Sequence, residues 1–225
     1  MEKQQYSNVY PLGVNYKISK FNSSEEAFTQ VFLPKYTGLD SLRNGREIKT
    51  IQLRPREILG LYLMCLVARY YHENEWTIGF DDPWGHDGLV IPKVVPQKGQ
   101  KRGLVIEQVY VQDKEKPFVY AFEEALRLKS LKGLNYSDKL NLVVLSEYGD
   151  KEDLSAVIAI AQKSDFESCY LFILKQPVPC LFYGATLKSP SDPLEYYHLG
   201  INLVDGSGKI VKRGDFKPII TDKST

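Results

Sequence analysis

Soft metal ligands are scarce in this chain. Three cysteines and three histidines in 225 residues, with no CxxC pair and no two histidines at ligand spacing, give no zinc signature. Cys65, Cys169 and Cys180 are odd in number, far apart and set in mostly apolar surroundings. They read as buried, reduced thiols of a cytoplasmic protein and exclude a disulfide framework. Long apolar runs are missing too. The longest, Ile58 to Ala68, is too short to span a bilayer, and the opening MEKQQYSNVYPLG has no signal-peptide core, so a soluble chain without membrane association is expected. An excess of either charge is also absent. Lys+Arg 29 against Asp+Glu 28 excludes a general basic coat, so any nucleic-acid contact must come from a local patch. No G-x-G-x-x-G, Walker A, nucleophile elbow or H-E-x-x-H motif occurs.

A hydrophobic content of 43% over this length is enough for one sizeable core and short for two. One domain over residues 1–225 is expected. Ser23-Ser24-Glu25-Glu26 forms a capping box for a short helix from Ser24 to Leu33, stopped by Pro34. Pro55 suits a first helical position, and Ile58, Leu61, Tyr62, Cys65 and Leu66 recur at helical spacing, giving a long buried helix to Tyr71. Trp76 to Phe80, Gly88 to Val95 and Gly103 to Val111 read as strands bounded by Gly, Pro and Asp. Phe118 to Lys132 is amphipathic and stops at Gly133. Asn141 to Ser146 and Cys169 to Leu174 read as parallel strands joined by a crossover through Asp153 to Lys163. Pro177, Pro179, Pro190 and Pro193 read as linkage to a C-terminal hairpin, Tyr196 to Val204 with Lys209 to Arg213, about Asp205-Gly206-Ser207-Gly208.

The chemistry concentrates in residues 81–111. Pairing the second and third strands as a hairpin about Lys98 or Gly99 brings Asp87 roughly opposite Glu107, and strand alternation lets both carboxylates leave one face. Two convergent carboxylates are the minimum for a site holding a hard cation such as Mg²⁺. Glu107 lies among Leu104, Val105, Ile106 and Val109, where an uncompensated carboxylate is expensive, so a metal, a basic side chain or an exposed edge must balance it. Asp87 before Gly88 is also ordinary turn chemistry. Lys93, Lys98, Lys101 and Arg102 place four cations between Gly88 and Ile106 with no acid among them. They suit phosphate contacts, and equally the solubilising of a hairpin tip.

The segment resembles the core of the PD-(D/E)xK, or restriction-endonuclease-like, nucleases. Asp82-Pro83 and Asp87-Gly88 match the looser DPxxDG form of the first half-motif. Ile106-Glu107-Gln108-Val109 supplies the second acid but sets Val109 where that family has lysine. The order helix, three strands, helix, strand matches the family core over about residues 55–175, with a helical extension over 1–54 and a hairpin extension over 176–225. The resemblance implies an α/β fold with a mixed sheet flanked by helices. It also implies a DNA endonuclease or DNA-binding subunit of a prokaryotic defence or mobile-element system, with Mg²⁺ or Mn²⁺ held by Asp87 and Glu107 and assisted by Asp82 or Glu57.

With valine at the lysine position, Lys129 or Lys132 on the following helix is the nearest substitute cation. Gln108 faces away from Glu107 and cannot serve. Glu57 in the first turn of the long helix also has a plain role beside the helix N-terminus. His86 adjoins Asp87 and could border the site. Val109 keeps a second class of function open, a catalytically degenerate adaptor that binds a partner protein. A third, an α/β enzyme with a site built from unmarked loops, also fits the element order.

Overall fold

The computed structural model describes residues 23–49, 52–72, 75–79, 87–92, 103–112, 114–131, 140–150, 153–177 and 180–215. Its centre is the helix α3 (Pro55–His72), buried almost all round from Ile58 to Ala68. A helix that is apolar on every side must be covered on every side. One cover is the N-terminal segment: α1 (Ser24–Ala27) continues through a π-turn (Phe28–Phe32) into a 3₁₀ turn (Leu33–Lys35), followed by α2 (Leu39–Asn44). Ser23 caps α1 by accepting from the Glu26 amide at 3.0 Å, and the Phe28 ring stacks on Tyr62 at 4.4 Å between centroids. Helical structure runs one residue past Pro34, which suits the first turns of a 3₁₀ segment because its missing amide is not needed there.

The other cover is a sheet of eight strands arranged in sequence order: β1 (Trp76–Gly79), β2 (Gly88–Pro92), β3 (Leu104–Val111), β4 (Asn141–Ser146), β5 (Ser168–Gln176), β6 (Cys180–Lys188), β7 (Glu195–Ile201) and β8 (Gly208–Asp215). β3, β4 and β5 are parallel, and every other pairing is antiparallel. The crossovers carry α4 (Phe118–Ser130) and α5 (Leu154–Lys163). The fold is therefore mixed α/β. Alternation assigns the central strands to two cores: Ile106, Val143, Leu145, Tyr170 and Phe172 face α3, whereas Val105, Leu142, Val144, Leu171 and Ile173 face α4 and α5. Among the described residues no helix is long and apolar enough to cross a membrane.

One expectation fails. The stretch taken as proline-rich linkage contains β6, so the C-terminal hairpin of β7 and β8 extends the main sheet instead of hanging from it. The prolines bracket this strand and none falls within it, which is where a sheet tolerates them. β6 is short of bulk at Gly184 for a packing reason: a Cβ there would collide with the Tyr197 ring of β7. Gly184→Val should therefore cost about 2 kcal/mol by overpacking. Gly200→Ala, where the nearest atom would be Leu181 Cδ2 at 3.5 Å, should stay within about 0.5 kcal/mol of wild type. Urea unfolding compares the two, and equal midpoints would contradict this packing.

Candidate acidic site at the head of β2

The register of β2 on β3 pairs Gly88 with Ile106, and continuing it by one residue sets Asp87 across from Glu107. Gly88 makes this entry possible. Its φ is +145°, and a Cβ there would lie 2.5 Å from Leu61 Cδ1 of α3, so only glycine lets the chain turn into the strand this close to the central helix. Asp87 Oδ2 accepts the Gln108 amide at 2.6 Å. The carboxylate thus takes over β3's ladder bond just where β2 stops.

Glu107 points to the α4 face with a side chain 0% exposed, and Lys129, in the last turn of α4, reaches it from above. The Lys129 ammonium donates to Glu107 Oε2 at 2.7 Å and to Asp87 Oδ2 at 2.9 Å. Burial opposes the charge on Lys129, but Asp87 and Glu107 outweigh it and raise the ammonium above its ordinary value of 10.5. The group stays charged throughout the neutral range. Two carboxylates and one ammonium leave a net charge of −1, with Asp87, 25% exposed, as the open member. Val109 is partly buried against the α4-side core and contributes no charge.

Gln108 lies on the other face, as alternation requires. Its Nε2 donates to the Glu57 carbonyl at 2.8 Å, and a Cβ at Gly60 would collide with its amide. Through Gln108 the first turn of α3 is fastened beside Asp87. The Glu57 carboxylate accepts the Arg54 amide at 2.6 Å. Its pKa is raised by burial and further by the Asp87 charge, against the Arg54 hydrogen bond. The structure therefore brings Asp87, Glu107 and Lys129 together and sets Glu57 nearby on the opposite face, occupied with its own helix. Asp81, Asp82, His86, Lys93, Lys98, Lys101, Arg102 and Lys132 lie outside the described residues.

Sequence reasoning missed a second polar cluster at the carboxyl end of β4. Glu147 accepts Arg43 Nε at 2.8 Å and the Tyr110 hydroxyl, with Lys114 at 3.5 Å. Burial raises the Glu147 carboxyl, but Arg43 and Tyr110 prevail and hold it below its ordinary range. Its position just past a parallel strand was the available signal, since open α/β sheets gather polar side chains there; the partners come from distant elements and left none.

Among the described residues no group of three or more His, Cys, Asp or Glu side chains is placed to hold a metal ion. A cation at Asp87 and Glu107 would thus have two carboxylates and water, a donor set that fits Mg²⁺ or Mn²⁺ and not a closed zinc site. Compared with protein families, curated proteins and solved structures, the chain matches none.

Lys129→Met leaves both acids without their shared cation, and breaking a buried pair in this way should cost about 3 kcal/mol. Because the folded pKa is raised, the contribution of Lys129 is complete below its ordinary value of 10.5 and is lost only as pH rises through the folded value. Denaturant unfolding of wild type and variant should show a constant gap from neutral pH upward that narrows in strong alkali. Indistinguishable stabilities at neutral pH would show that the ammonium does not hold the acids.

Proposed function

We propose that the chain is a metal-dependent DNA endonuclease of the PD-(D/E)xK kind, serving a prokaryotic defence or mobile-element system. In it Lys129 of α4 stands in for the lysine that the resemblance expects at Val109. The observation that carries this reading is the Lys129 ammonium bonded to both carboxylates. The order of α3, three antiparallel strands, α4 and a strand parallel to β3 supports it as well. Glu107, sealed in the sheet, is the fixed anchor, and Asp87 is the member open to substrate. Asp87 and Glu107 would hold Mg²⁺ or Mn²⁺, which would supply an activated water and offset charge on the phosphoryl oxygens. Lys129 stays protonated and so is no proton acceptor. Its role is to stabilise negative charge developing on the scissile phosphate, in a site where the cation is already oriented.

A catalytically degenerate adaptor is the second reading, favoured by the complete burial of Glu107 and by an ammonium that already balances it. In that case the three residues are a charge brace between α4 and the sheet. Nicking of supercoiled plasmid separates the two. Wild type with Mg²⁺ or Mn²⁺ should nick, and Glu107→Gln should abolish nicking while the fold persists. Lys129→Met should slow it by about 10²-fold with DNA affinity nearly intact, because a transition-state contact affects rate more than ground-state binding. Cleavage that survives Glu107→Gln would place the chemistry elsewhere, and a folded but inert wild type would favour the brace.

A further inference from the structure

Between α2 and α3 the chain doubles back through a single bridge, with the Ile48 amide donating to the Leu53 carbonyl at 2.8 Å and the Gln52 amide to the Ile48 carbonyl at 2.8 Å. Leu53 is buried and anchors the turn in the α3-side core. Gln52 takes φ +56° to close it, a left-handed conformation uncommon for a residue with a Cβ. Arg46, Lys49 and Arg54 are exposed on this turn, and Arg56 is half-buried at its base, with Glu47 the one acid among them.

Two neighbouring arginines are paired: Arg43 with Glu147 and Arg69 with Glu25. Among the described residues Arg46, Lys49, Arg54 and Arg56 form no ion pair, although the Glu57 and Asp87 charges act on Arg56. Arg56 is the telling member. Its guanidinium lies over the Tyr110 ring, 5.8 Å from the centroid, and Nη1 approaches the Arg43 carbonyl at 3.5 Å. Burial and then the neighbouring Arg54 charge push its pKa down, against the nearby Glu57 and Asp87 charges. A guanidinium that is half-desolvated, oriented by an aromatic ring and without a direct ion pair among the described residues can still take an external anion. Gln108 links Arg56 to the acids, because its amide donates to Asp87 and its side chain to the Glu57 carbonyl next to Arg56, and the Asp87 charge acts on Arg56.

We propose that this basic turn seats the sugar-phosphate backbone of the DNA presented to Asp87, Glu107 and Lys129. Arg56 binds the phosphate nearest the acids, and Arg54, Lys49 and Arg46 bind phosphates further along. The proposal rests on the nuclease reading and adds to it the surface that delivers substrate. It differs from the hairpin cations Lys93 to Arg102 that the sequence brought forward. Contacts of this type give affinity without sequence preference and depend steeply on salt.

Binding of a fluorescein-labelled DNA duplex to the full chain, measured by anisotropy in EDTA over a salt series, tests it. The triple variant Arg46→Gln/Lys49→Gln/Arg54→Gln should weaken binding at least about 10-fold and flatten the slope of log affinity against log salt by about 2 to 3, close to one unit per lost phosphate contact. A charge-matched control on other exposed lysines, Lys35→Gln/Lys163→Gln/Lys209→Gln, should leave both unchanged. Arg56→Gln should weaken binding and Arg56→Lys should restore part of it, with thermal unfolding confirming that each variant is folded. If the turn and control variants behave alike while wild type still nicks plasmid, the seat is rejected and the nuclease reading stands. If wild type neither binds nor nicks, both are rejected.

Discussion

A carboxylate buried in the middle of a sheet governs the rest of this structure. Glu107 is fully enclosed on β3, and a charge there persists only if another charge is brought to it. Lys129 does so, and because it stands in the last turn of α4 it can reach Glu107 only if α4 packs back along β3 and ends over the start of β2. The same ammonium holds Asp87, which in turn closes the open ladder of β3 through the Gln108 amide. One cation therefore ties together the docking of a helix, the point at which two strands part and the convergence of two acids. The resulting site has a net negative charge and one face open to solvent.

The central helix makes this arrangement rigid from below. α3 is buried on all sides, and its contacts leave little freedom: glycine is required at residue 88 by Leu61, and Gln108 fills the space that a side chain at residue 60 would need. The acids are thus fixed by backbone and packing as well as by charge. On the α3 side the second polar cluster, Glu147 with Arg43 and Tyr110, draws α2 onto the end of β4. This placement pairs Arg43 away from the exposed cations of the α2–α3 turn, where the Glu57 and Asp87 charges act on Arg56.

Much of the fold was legible in local pattern. α3 announced itself by Pro55 and a run of helically spaced apolar residues, and β3, β4 and β5 by β-branched runs between turn residues. β6 was not, because four prolines around it look like linkage until one sees that all of them fall outside the strand. At the site, Glu107 was legible because an acid inside an apolar strand is unusual, and Asp87 because pairing the two strands sets it opposite Glu107, although Asp before Gly is also ordinary turn chemistry. Lys129 was legible only as one of two candidates, since helical periodicity does not decide how far a helix end projects over a sheet. The link between Arg43 and Glu147, and the placement of Arg56 over Tyr110, depend on residues far apart in sequence. No local pattern carries such information, and packing alone reveals it.

The central proposal is that Asp87 and Glu107 would form one cation site beside the Lys129 ammonium. Titration of the full chain with Mn²⁺, followed by electron paramagnetic resonance of the free ion, tests this without requiring turnover. The account predicts one bound Mn²⁺ per chain, lost in Asp87→Asn and in Glu107→Gln and displaced by excess Mg²⁺. Absence of bound Mn²⁺ in wild type, or binding unchanged by either substitution, would contradict it.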